Sequence, residues 1–184
     1  MAKHILILTG SPRKNGNSNR LAKALAGGAQ EAGHTVQLHD VGRARMRGCL
    51  ACERCWQGTG KPCVQQDDMQ ALFPALEQAD VVVLASPLYF FGLSAQIKAA
   101  IDRLYPYYGD ASPVDLRGKE CALLLTAASD DPADYVGALE TYNILTGYLR
   151  WQDRGQIVAD GVSAAGDIEG HEALQRARAL GRGL

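Results

Sequence analysis

No apolar run in these 184 residues approaches the ~20 that a bilayer-spanning helix needs, so no membrane engagement is expected. Charge of one sign is also missing. Nineteen Lys and Arg stand against twenty Asp and Glu, a net charge of −1. That removes the basic footprint of a nucleic-acid binder, and equally the strong acidity by which small electron carriers steer partners. Internal repeats, low-complexity tracts and linkers are absent, and one domain over residues 1–184 is expected. The four histidines, His4, His34, His39 and His171, are scattered without metal-ligand spacing. No Ser-His-Asp or Cys-His arrangement is placed for hydrolysis. Met1-Ala2-Lys3-His4 enters a strand without a signal-peptide pattern, from which a cytoplasmic location is expected. In that compartment five cysteines read as thiols or metal ligands, not as a disulfide framework.

What is present begins with Ile5-Leu6-Ile7-Leu8, apolar on both faces and so a buried parallel strand. Thr9-Gly10-Ser11-Pro12-Arg13-Lys14-Asn15-Gly16-Asn17-Ser18-Asn19 follows, then a helical stripe of Leu21, Ala24, Leu25 and Ala32. Strand, small polar loop and helix start bring backbone N–H groups and the positive helix end together, which suits an anion. Five residues separate Gly10 from Gly16, so this is not G-x-G-x-x-G, and Asn17 stands where a P-loop needs Lys. A hydroxyl-rich loop around one terminal phosphate fits better; an ordinary turn capped by Ser18 is the alternative.

Further along, Thr35–His39 alternates like an edge strand, and residues 42–66 form a long irregular insertion holding four cysteines. Asp67 or Asp68 should cap a helix through Leu72, Ala75, Leu76 and Ala79. Val81–Ala85 is a central strand, followed by Ser86-Pro87-Leu88-Tyr89-Phe90-Phe91-Gly92 and a helix with Ile97, Ala100, Ile101 and Leu104 on one face. Cys121–Leu125, a helix over about Tyr135–Trp151, a strand at Gln156–Ala159 and a helix from Glu172 complete the alternation. Five strands alternating with helices predict an α/β fold with a flavodoxin-like five-stranded parallel sheet, order 2-1-3-4-5, helices on both faces. The crevice between strands 1 and 3 would then be bounded by the Gly10, Pro87–Gly92 and Thr126 loops. A monophosphate loop beside an aromatic loop fits flavin mononucleotide (FMN) better than a dinucleotide.

The combination of Gly10–Ser18, Asp67-Asp68-Met69, Ser86–Ser94 and Gly166-Asp167-Ile168-Glu169-Gly170-His171 resembles the NADPH-dependent FMN reductase family. The resemblance implies FMN with its phosphate on Ser11, Arg13, Asn17 and Ser18. It implies ring and ribityl contacts from Pro87, Leu88, Tyr89, Phe90 and Gly92, with a lesser part for Thr126–Ser129. NAD(P)H as co-substrate, a quinone, flavin or similar small-molecule acceptor, and a homodimer or homotetramer are implied with it. Cys49-x2-Cys52-x2-Cys55-x7-Cys63 resembles the compact motif of the related iron-sulfur flavoproteins, which implies a [4Fe–4S] cluster and a ferredoxin partner as the alternative. Free thiols or a labile disulfide remain open; the spacing disfavours zinc. Arg43, Arg45, Arg47, Arg54 and Lys61 surround the thiols and would offset a cluster's charge or lower thiol pKa values. Trp56 reads as a lid or subunit contact, Tyr105, Tyr107 and Tyr108 as packing or a cover for a neighbouring subunit's site, and Cys121 as core.

Overall fold

In a computed structural model the described residues are 1–57, 62–107, 112 and 114–184. Lys61 and Tyr108 lie outside them. The strands are β1 (His4–Thr9), β2 (Thr35–His39), β3 (Val81–Tyr89), β4 (Gly92–Leu93), β5 (Glu120–Thr126) and β6 (Gln152–Ala159). The helices are α1 (Asn17–Glu31), α2 (Met69–Gln78), α3 (Ala95–Asp102), α4 (Val136–Tyr148) and α5 (Glu172–Arg182). The five long strands run parallel in the order β2-β1-β3-β5-β6, the predicted winding. One strand was not anticipated. Residues 86–92, read above as a loop, continue β3 to Tyr89 and return as β4, antiparallel, with Tyr89 opposite Gly92. The two-residue turn between them is Phe90-Phe91.

Period-2 burial divides the sheet's side chains between two cores. Leu6, Leu8, Val82, Leu84, Leu123 and Leu125 meet α2, α3 and α4. Ile5, Ile7, Val81, Val83, Ala122 and Leu124 meet α1 and α5. On the second face α1 and α5 nearly touch. A Cβ on Gly28 would stand 1.9 Å from the Arg178 carbonyl oxygen, and one on Gly181 2.1 Å from that of Leu25. Cys121 is fully buried, and burial pushes its thiol up to about 11, so it is an inert core thiol as expected.

Register sets the site. Thr9 pairs with Ala85, and Pro87 with Thr126, so the carboxyl tips of β1, β3 and β5 end side by side. Hydrogen bonds then tie their loops together. Gly10 N–H donates to the Ala85 carbonyl (2.8 Å), Ser94 Oγ donates to the Gly10 carbonyl (2.9 Å), and Ser94 N–H donates to Ser86 Oγ (2.9 Å).

Candidate functional site

The loop after β1 is held open by its own polar groups. Arg13 N–H donates to Ser11 Oγ (3.2 Å), Gly16 N–H donates to the Arg13 carbonyl (3.0 Å), and Asn19 Nδ2 donates to the same carbonyl (3.1 Å). Gly16 precedes α1 and offers no side-chain cap, leaving the first turn of the helix without one. Its Cα lies against Ser11, where a Cβ would come within 2.3 Å of Oγ. Ser18 is 1% exposed, and its Oγ has no hydrogen-bond partner. Ser18 therefore does not cap the turn; Gly16 stands at the cap position instead. A buried hydroxyl without a partner is costly, and beside a free helix N-terminus it is placed to meet an anion.

A cavity of about 240 Å³ opens at this point. Ser11, Arg13, Asn17 and Ser18 form one wall, and Pro87, Leu88, Tyr89 and Thr126 another. Eight of the ten expected cofactor residues thus share one cavity; Phe90 and Gly92 do not line it. Val162 and Ser163, after β6, also line it and were missed. They are drawn in by the Gly166-Asp167 motif. Asp167 Oδ2 accepts from Ser163 N–H (2.9 Å) and Ala164 N–H (2.6 Å), curling the segment. Asn17 then clasps it, donating to the Ala164 carbonyl (2.8 Å) and accepting from Gly166 N–H (3.0 Å). Arg13 Nη1 donates to the Ser163 carbonyl (3.0 Å). The Asn17 carboxamide keeps a second N–H donor beyond this clasp.

Phe90 and Phe91 have φ of 43° and 64°, the left-handed values a two-residue turn between antiparallel strands demands, where Asn-Gly is usual. Phe90 is fully exposed and Phe91 largely so. These strained, bulky, solvent-facing rings directly follow Tyr89, which lines the cavity. Replacing Phe90-Phe91 with Asn-Gly is expected to raise the unfolding free energy by about 1–2 kcal/mol, read in urea titrations, while lowering turnover. Full turnover in that variant would show the rings to be dispensable.

The cysteine insertion is pinned by the start of α2. Arg45 N–H donates to Asp68 Oδ2 (2.7 Å), and Arg47 N–H donates to Asp67 Oδ2 (3.1 Å). Gln70 Nε2 donates to the carbonyls of Cys63 (2.9 Å) and Gln65 (2.7 Å). Asp67 also pairs with Arg103, just past α3, through Nη1 (2.8 Å) and Nη2 (3.2 Å), their side chains 10% and 1% exposed. Burial alone would raise the Asp67 carboxyl pKa. Hydrogen bonds from Arg103, Arg47 and Met69, with the guanidinium charge, outweigh it and hold the carboxyl below the usual range. The expected cap is thus half right: Asp67 Oδ1 accepts from Met69 N–H (3.2 Å), but its main partner is Arg103.

Cys49, Cys52, Cys55 and Cys63 line one further cavity together with Arg103 and Tyr105. Ala51 and Glu53, between the first three thiols, have φ of 50° and 55°, and Ala51 N–H donates to Cys49 Sγ (3.4 Å). Two left-handed non-glycine residues in three positions bend this backbone sharply between the thiols. Burial, more than its neighbouring thiols, pushes the Cys55 pKa above its ordinary value. Among the described residues no three His, Cys, Asp or Glu stand in single-ion coordination geometry; what the four thiols share is a cavity wall. Arg43, Arg45, Arg47 and Arg54 are exposed. Trp56 stacks on Tyr105 at 4.4 Å between centroids.

Among the described residues no helix is long and apolar enough to cross a membrane. A family model described as NADPH-dependent FMN reductase matches residues 4–177. An iron-sulfur flavoprotein of Archaeoglobus fulgidus is 37% identical over 100 residues, 54% of this chain and 44% of that protein. The chain spans about half the length of the curated iron-sulfur flavoproteins it matches. Among solved structures, an NAD(P)H:quinone oxidoreductase from Methanothermobacter marburgensis superimposes with a TM-score of 0.76 at 21% identity, covering 99% of this chain and 98% of that one. An azoreductase from Bacillus anthracis gives 0.73 at 20% identity over the whole of both chains. These likenesses establish the flavodoxin-like fold. With the matched family model spanning nearly all its elements, the chain belongs to the NADPH-dependent FMN reductase family.

Proposed function

We propose that this protein is an FMN-dependent NAD(P)H oxidoreductase that passes electrons from a nicotinamide to a quinone, flavin or similar small-molecule acceptor, as a homodimer or homotetramer. The observation that carries the reading is Ser18 Oγ, buried without a partner at an uncapped helix start, on the wall of a cavity closed by Pro87–Tyr89. When bound, FMN supplies the redox chemistry, taking hydride from NAD(P)H and handing electrons on. The chain's part is to bind and orient. Ser11 and Ser18 hydroxyls and the first N–H groups of α1 suit the phosphate, with Arg13 adding charge over it. Pro87, Leu88, Tyr89 and Thr126 form the wall for the ring system. Hydride transfer to a flavin requires no side-chain acid or base, and none is assigned.

A second reading is favoured by the cysteine cavity: an iron-sulfur flavoprotein exchanging electrons with ferredoxin through a cluster on Cys49, Cys52, Cys55 and Cys63. The donor set fits, since four thiols line one cavity beside a buried cation. Anaerobic NADPH oxidation with menadione and added FMN tests the first reading. Turnover supports it; no turnover with rapid reduction by ferredoxin supports the second.

A further inference from the structure

Among the described residues Arg103 is the buried arginine that lines the cavity of the four thiols, and its bonding is incomplete. Its terminal nitrogens are spent on Asp67 and on the Arg47 carbonyl (3.0 Å). Its Nε is buried without any partner, while Arg103 lines the cysteine cavity and its guanidinium lies over the Phe73 ring at 5.9 Å. An orphaned donor on a charged group, desolvated this fully, is costly and is open to an acceptor that arrives later. The cavity offers sulfur for that role. Arg43, Arg45, Arg47 and Arg54 are exposed, so salt screens them; Arg103 is not screened.

We infer that Arg103 is a positioning residue for the sulfur-ligated centre, its Nε–H donating to a cysteine thiolate and its charge favouring the centre's reduced state. The inference rests on the iron-sulfur reading of the four cysteines. Asp67 sets the strength of the effect by neutralising part of the guanidinium charge at 2.8 Å. Loss of the Nε–H and loss of the carboxylate therefore act in opposite directions, a pattern that mere loosening of the fold does not produce.

The test is the midpoint potential of the anaerobically reconstituted protein, followed by electron paramagnetic resonance. Arg103→Lys keeps the charge and a partner for Asp67 but removes Nε–H. It is expected to make reduction about tenfold less favourable, ~59 mV lower for one electron. Asp67→Asn is expected to raise the potential. Shifts of opposite sign support the inference. Both variants tracking the wild type, or shifting the same way, overturn it while leaving the cluster in place. Wild-type protein that takes up no iron and sulfide overturns the cysteine reading and this inference together, whatever the flavin does.

Discussion

Asp67→Ala is expected to cost about 3–5 kcal/mol of stability. Arg103 is 1% exposed, and without Asp67 its guanidinium would stay buried with only the Arg47 carbonyl as partner. The same carboxylate also receives the Arg47 and Met69 N–H groups, so its loss frees the insertion from α2. Removing both charges with Asp67→Ala and Arg103→Leu should be milder than Asp67→Ala alone, because no buried charge is then left unpaired. Urea unfolding of the three variants decides this; a double variant worse than the single would show that the pair is not the source of the cost. The pH dependence has a definite sign. A carboxyl held below its ordinary value contributes stability that is complete above about pH 4 and is lost as pH falls through the lowered value. The insertion should detach in acid, and neutral or alkaline pH should leave this contribution untouched.

Ser18→Ala should split stability from binding. In the ligand-free protein the hydroxyl is desolvated and bonded to nothing, so its removal should leave stability unchanged or slightly higher. With phosphate in place the same hydroxyl donates to a charged acceptor, a bond worth about 1.5–3 kcal/mol, and FMN affinity should fall about 10–100-fold. Thermal unfolding and fluorescence titration on the same preparations read both quantities. A variant that loses stability and keeps its affinity would mean the hydroxyl serves the fold.

How far these features could be read from the sequence depends on how local their causes are. The five long strands were legible because Ile5–Leu8, Val81–Ala85 and Cys121–Leu125 are apolar on both faces, and such runs between helical stripes have few other solutions. The cavity wall from Ser11 to Ser18 was legible because loop and helix start are contiguous. β4 was hidden because Phe90-Phe91 carries none of the usual turn chemistry, although both residues adopt the left-handed φ such a turn needs. Arg103 was hidden because its partner lies 36 residues away and nothing local marks an arginine after an amphipathic helix as buried. Val162 and Ser163 are held at the site by Asp167, Asn17, Arg13 and the Ala127 carbonyl, long-range contacts with no spacing rule.

The proposed function turns on whether a phosphate group seats between Ser11 and Ser18 at the tip of β1. Calorimetric titration of the flavin-free protein with FMN and with riboflavin, which differ only in that group, measures it directly. FMN binding roughly 100-fold or more tighter than riboflavin is the predicted result, with the gap narrowing in Ser18→Ala. Equal affinities for the two flavins would contradict the account.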